Sequence, residues 1–114
     1  MDARIQTAIQ LMQGNKHRNL PIRDLATLVN LSPSRFMHLF KAETSLTPKR
    51  YFRNLKMKEA ETLLQNSFLS VKQITSLAGF NDRSHFSRDF KNVFGRNPSD
   101  FRARYKDFSS RKQF

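Results

Sequence analysis

One pattern occurs twice in this chain, and that repeat constrains the fold more than any other feature. Ser34, Phe36, Phe40, Lys41 and Pro48 return fifty positions later as Ser84, Phe86, Phe90, Lys91 and Pro98, and Tyr51 is answered by Phe101. The segment ahead of each copy matches at an offset of forty-nine, with Leu25, Leu28 and Leu31 paired to Ile74, Leu77 and Phe80. The one-residue difference falls in a turn, where Asn30-Leu31-Ser32 is set against Gly79-Phe80-Asn81-Asp82. A helix, a short turn and a second helix, built twice, is the layout of a double helix-turn-helix nucleic-acid reader.

The spacing of apolar residues fills in the rest. Gly and Pro are scarce and no apolar stretch alternates with period two, so the chain is expected to be all-α with about seven helices. The first, from about Ala3 to Met12, carries Ile5, Ala8, Ile9 and Met12 on one face and stops at Gly14. The second runs from about Ile22 to Val29, and Asn30, which tolerates a left-handed backbone, makes the turn. Ser32 caps the third helix, with Pro33 at its first position. Phe36, Leu39 and Phe40 are its inward face.

Thr47-Pro48 opens a long fourth helix to about Gln65, whose apolar stripe is read as Tyr51, Leu55, Leu63 and Leu64. Ser70 caps the fifth helix, which buries Val71, Ile74, Leu77 and Ala78 and ends at Gly79. Asp82 caps the sixth, with Phe86, Phe90 and Phe94 at four-residue steps, and Gly95 closes it. Asn97-Pro98 starts the seventh, anchored by Phe101 and Tyr105.

The expected organisation is therefore helix one plus the first helix-turn-helix over 1–46, a linker helix over 47–66, the second unit over 67–106, and a flexible tail over 107–114. A linker helix of about 18 residues spans about 27 Å at about 1.5 Å per residue. That approaches the roughly 34 Å of one DNA turn, so two recognition helices are expected to enter successive major grooves.

Composition narrows the partner. Among 114 residues, 21 Lys+Arg against 9 Asp+Glu give a net charge of +12, which favours a polyanion, nucleic acid first. Cysteine is absent, which excludes disulfides, thiolate catalysis and Cys-ligated zinc and is compatible with a reducing cytoplasm. His17, His38 and His85 are dispersed with no pair at helical spacing, so no metal site is expected. No paired carboxylates or Ser-His-Asp ordering stand out; the expectation is a chain with no cofactor that is not an enzyme. No apolar run approaches the roughly 20 residues of a membrane span.

The ordered motifs resemble the DNA-binding domain of the AraC/XylS family of bacterial transcription regulators over roughly residues 3–105. The second unit carries the resemblance most strongly, in Ile74-x-x-Leu77-Ala78-Gly79-Phe80, Ser84-x-Phe86-Ser87-Arg88-x-Phe90-Lys91 and Phe94-Gly95-x-x-Pro98. The first matches through Asp24-Leu25-Ala26, Leu31-Ser32-Pro33, Phe36-x-x-x-Phe40-Lys41 and Pro48-x-x-Tyr51. Three residues depart from the family pattern. Thr75 stands where Ala is usual, and its hydroxyl is expected to bond back to the preceding turn. Ser45 stands where a Gly commonly ends the helix, and Met37 replaces a polar base reader. The resemblance implies transcription regulation in a bacterial cytoplasm, activation more often than repression, and RNA polymerase as a protein partner. It also implies that a separate effector-binding and dimerisation domain precedes this module in many members, so the chain is a stand-alone short regulator or an excised domain.

Base reading requires side chains projecting from the N-terminal half of a recognition helix toward base edges. In the third helix these are Ser34, Arg35, Met37 and His38; in the sixth they are Arg83, Ser84, His85 and Arg88. Phosphate contacts are expected from cap residues and neighbouring cations: Ser32, Lys41, Lys49 and Arg50 in the first unit, Asn81, Lys91, Arg96 and Arg102 in the second. The Phe ladders are expected in the core rather than stacked on bases. The rival readings are a basic helical adaptor for an acidic protein partner and a cationic protein of the membrane surface. Neither needs two recognition helices in phase.

Overall fold

The computed structural model describes residues 1–112, with side chains through Tyr105. Seven helices follow one another: α1 (Ala3–Gln13), α2 (Ile22–Leu28), α3 (Pro33–Thr44), α4 (Pro48–Asn66), α5 (Val71–Leu77), α6 (Arg83–Phe94) and α7 (Pro98–Lys112). No strand occurs among the described residues. The all-α expectation holds. The helical backbone of α7 reaches Lys112, into the segment expected to be a tail; Gln113 and Phe114 of that segment lie outside the described residues.

The helix ends follow from the capping residues. Asp2 accepts from the Arg4 amide and caps α1, and the Arg4 guanidinium hydrogen-bonded to it holds its carboxyl below the usual aspartate range. Ser32 caps α3 through the Arg35 amide, with Pro33 at the first helical position. On α5, Ser70 and Gln73 form a reciprocal capping box. Asp82 caps α6 by accepting from the His85 amide at 2.7 Å. The Thr75 hydroxyl donates back to the Val71 carbonyl at 2.8 Å, which lets a polar side chain sit in a buried position.

The chain divides into two compact units, Met1–Lys56 and Met57–Phe114. The core of the first unit is Ile5, Ala8 and Met12 from α1, Leu25, Ala26 and Val29 around α2, Phe36 and Phe40 from α3, and Phe52 from α4. The core of the second is Met57, Ala60 and Leu64 from α4, Ile74 and Ala78 around α5, and Phe86 and Phe90 from α6. The division thus falls inside α4, and each half of that helix is built into one core.

The stripe expected on α4 was Tyr51, Leu55, Leu63 and Leu64. Of these Leu64 is buried and Tyr51, Leu55 and Leu63 pack half-buried against the cores, while Phe52, Lys56, Met57 and Ala60 are buried in addition. The physical reason is that α4 serves two cores in succession, so no single stripe runs its length. Its second half repeats α1: Ile5, Ala8 and Met12 are matched by Met57, Ala60 and Leu64 with the same three- and four-residue steps. Its first half repeats the start of α7, where Pro48 and Pro98 are both fully buried. The duplication therefore extends through the core of each unit.

Lys56 is an unanticipated buried cation. Its ammonium donates to Asn19 Oδ1 at 2.7 Å and lies 4.5 Å from the centre of the Phe52 ring. Burial pushes its pKa below the usual lysine range. The hydrogen bond and the ring face offset part of the desolvation cost.

Two helix-turn-helix turns and two helix ends require a left-handed residue. Asn30 (φ 60°) and Gly79 (φ 78°) occupy the turns, and Ser45 (φ 68°) and Gly95 (φ 80°) follow α3 and α6. Ser45 thus adopts the backbone that glycine adopts in the second unit, and its amide closes α3 by donating to the Lys41 carbonyl at 2.8 Å. A left-handed backbone costs an L residue about 1–2 kcal/mol, against about 0.4–1 kcal/mol for glycine's greater freedom in the unfolded chain. Ser45→Gly is therefore expected to raise stability by about 0.5–1 kcal/mol, and Gly95→Ser to lower it similarly. Urea denaturation checks this, as opposite shifts in midpoint at unchanged slope.

Candidate nucleic-acid interface

The second helix of each helix-turn-helix, α3 or α6, is held by a pair of phenylalanines four residues apart. In α3, Phe36 and Phe40 are fully buried, their ring centres 5.6 Å apart, and Tyr51 meets Phe40 edge-on at 5.3 Å. In α6, Phe86 and Phe90 are fully buried at 5.8 Å, with Phe101 edge-on to Phe90 at 5.4 Å. Residues i and i+4 share a helix face, so fixing that face inward also fixes what points outward. Ser34, Met37, His38 and Lys41 lie at steps of three, four and seven on the opposite side of α3, all exposed. The matching stripe on α6 is Ser84, Ser87, Arg88 and Lys91.

Most residues expected at the interface are exposed. Ser32, Ser34, Arg35, Met37, His38, Lys41, Lys49 and Arg50 are exposed in the first unit, and Asn81, Arg83, Ser84, His85, Arg88, Lys91 and Arg96 in the second. Met37 keeps 48 % of its surface in solvent, an apolar side chain of a kind suited to a thymine methyl. Lys49 and Arg50 occupy the first turn of α4, where Thr47 Oγ1 accepts from the Arg50 amide at 3.3 Å. That turn has no acidic side chain, so its free amides and two cations favour an anion.

The second unit differs in detail. The Arg83 guanidinium donates to Ser99 Oγ at 3.2 Å, at the start of α7 and off the stripe defined by Arg88. His85 pairs with Asp89, and its ring meets Phe80 edge-on at 5.3 Å. Lys91, Arg96 and Arg104 come together around a cleft shared with Asn97 and Asp100. The first turn of α7 is capped internally, since Asn97 Oδ1 accepts from the Asp100 amide and Asn97 Nδ2 donates to the Asp100 carboxylate.

Arg102 departs most from its expected role. Its guanidinium points at the carbonyls of Leu64, Leu63 and Ser67, at 3.3–3.4 Å. It adds a charged donor at the C-terminal end of α4, where the Leu63 carbonyl also accepts from the Ser67 amide and hydroxyl. Ser87 is the reverse case, a stripe residue absent from the expected set. Its repeat partner is Met37, so the offset of fifty identified the position all along.

Comparison with known proteins gives the family and the fold. Residues 25–104 match the family described as Helix-turn-helix domain. A crystal structure of an AraC-type DNA-binding regulator from Chromobacterium violaceum superposes with a TM-score of 0.84 at 31 % identity, covering 90 % of this chain and 91 % of that one. The chain belongs to the AraC/XylS family. It is thus an AraC-type helix-turn-helix DNA-binding module of a family of transcription regulators, not of enzymes. The Msm operon regulatory protein of Streptococcus mutans is 40 % identical over 84 residues, 74 % of this chain and 30 % of that protein. The DNA-binding domain of AdpA, solved in complex with a target DNA, shares the fold at a TM-score of 0.88 and 21 % identity, over 93 % of this chain and 96 % of that one. The chain spans about a third of the length of the curated AraC-type relatives it matches. Among the described residues, no helix is long and apolar enough to cross a membrane.

Arg102→Ala should uncap α4 and lower unfolding free energy by about 1–2 kcal/mol, near the low end for hydrogen bonds to a charged donor because the distances are long. Its effect on DNA affinity, measured below the melting range, should be negligible. A drop in affinity without a drop in stability would return Arg102 to the phosphate contacts.

Proposed function

We propose that this module binds double-stranded DNA at a specific sequence, with α3 and α6 as recognition helices in successive major grooves. The observation that carries the reading is that both helices are pinned through the same buried pair and turn the same repeat positions outward, all exposed except the half-buried Ser87. Base readers are then Ser34, Arg35, Met37 and His38 on α3, with Ser84, His85 and Arg88 on α6 and Arg83 at its first position. Ser32, Lys41, Lys49, Arg50, Asn81, Lys91 and Arg96 supply the phosphate contacts. Arg102 leaves that set because its guanidinium serves α4. Family membership supports regulation of transcription in a bacterial cytoplasm as an activator, with RNA polymerase as a protein partner. The short span relative to the matched proteins supports an effector-binding and dimerisation domain elsewhere in the natural polypeptide.

Arg88 lies between Phe86 and Phe90 in sequence but on the opposite, exposed side of α6. Arg88→Ala should lower affinity for a selected duplex by about 1–3 kcal/mol while leaving random-duplex binding and melting temperature little changed. Equal weakening on both duplexes would reduce Arg88 to a phosphate contact.

The bipartite part of the reading has its own test. One Ala inserted in the middle of α4 turns one half of that helix by about 100° against the other while keeping it helical. Tight specific binding should disappear, leaving salt-sensitive residual binding, with circular dichroism unchanged. An unaltered footprint and affinity would mean that one unit reads the site alone.

A further inference from the structure

We propose that Asp89 is a positioning residue that fixes the His85 imidazole as a hydrogen-bond acceptor for the exocyclic amine of an adenine or cytosine in the major groove. The inference rests on the reading of α6 as a recognition helix and assigns one of its side chains a donor–acceptor sense. His85 is held at three points. Its amide donates to the Asp82 carboxylate at 2.7 Å, its ring meets the edge of Phe80 at 5.3 Å and 89°, and its Nε2 lies 3.3 Å from Asp89 Oδ2. The imidazole is nonetheless 52 % exposed, whereas the carboxylate beneath it is 13 % exposed.

A neutral imidazole carries one hydrogen, and the nitrogen that bears it is set by the partner. In the neutral ring, a carboxylate oxygen 3.3 Å from Nε2 favours the tautomer with the hydrogen on Nε2, which leaves Nδ1 with a lone pair. Nδ1 has no hydrogen-bond partner among the described residues. In the major groove, the complements of an acceptor are adenine N6 and cytosine N4, while guanine offers only acceptors and thymine an acceptor and a methyl.

The repeat supplies the second line of argument. The residues of α3 that correspond to His85 and Asp89 are Arg35 and Leu39, and Leu39 packs against the core. The second unit therefore places a carboxylate at a core-edge position that an apolar side chain occupies in the first.

The test selects preferred duplexes from a random pool with the full chain, and then with His85→Ala, Asp89→Leu and Asp89→Asn. His85→Ala and Asp89→Leu should lose preference at the same base pair, where the wild type takes adenine or cytosine on the contacted strand. Asp89→Asn keeps an acceptor oxygen for Nε2–H and should retain the preference. Deleting the contacted amine from the selected duplex, for instance purine in place of adenine, should weaken the wild type and Asp89→Asn about three- to tenfold, as expected for one hydrogen bond. It should leave His85→Ala and Asp89→Leu unaffected. Thermal melting accompanies each variant, and Asp89→Ala substitutes for Asp89→Leu if the latter does not fold. The proposal is overturned if the Asp89 variant that lacks an acceptor keeps the wild-type preference, or if guanine is selected where His85 reads. A wild-type chain that selects no sequence at all sinks the sequence-specific reading, and this inference with it.

Discussion

The outward faces of α3 and α6 depend on two phenylalanines being four residues apart on each helix. A fully buried Phe contributes about 1.5–3 kcal/mol, and an aromatic pair about 0.5–1.5 kcal/mol more. Phe36 with Phe40, and Phe86 with Phe90, therefore lock the rotation of α3 and α6 firmly. Rotating either helix by one residue would drag a ring into water and bring a charged stripe toward the core. The outward stripe of each helix is consequently defined from behind. The exposed side chains can vary in chemistry without disturbing the fold, which is why one unit presents Met37 and the other Ser87 at the same place.

The parts of this arrangement that were legible in the sequence are those written in short-range chemistry. Ser32-Pro33, Ser70 and Asp82 announce helix starts because a side-chain oxygen there satisfies amides within three residues. Asn30, Gly79 and Gly95 announce turns because they tolerate a positive φ. The Phe ladders announce buried faces through their spacing. What was not legible required knowing which surface a helix meets. The stripe on α4 is broader than its apolar spacing suggests because the helix changes core at about Lys56, and no local rule marks such a change. Arg102 read as a surface cation because its carbonyl partners lie 35–39 residues away in sequence. The pairing of His85 with Asp89, by contrast, sits at four-residue helical spacing and was open to inspection.

Lys56 illustrates the same limit from the other side. Composition treats it as one of many surface cations, yet it is nearly as covered as Phe52 beside it. Its ammonium survives burial because Asn19 supplies an oxygen and Phe52 a ring face. A count of basic residues therefore overstates the positive surface available to a polyanion. The same holds for Arg102, whose charge is spent on backbone carbonyls.

Phe52 and Arg102 hold the same place in the repeat, fifty residues apart, yet perform unlike tasks. One ring fills the first core; one guanidinium ties down the end of α4 in the second unit. The two halves are thus no longer interchangeable parts. An arginine at 52 would be driven into an apolar core without a partner, and a phenylalanine at 102 would remove the charged donor from the end of α4. A tandem chain made by copying either half onto the other would inherit the outward stripe intact and still fold poorly. Divergence has proceeded at the seams of the duplication as well as on its reading faces.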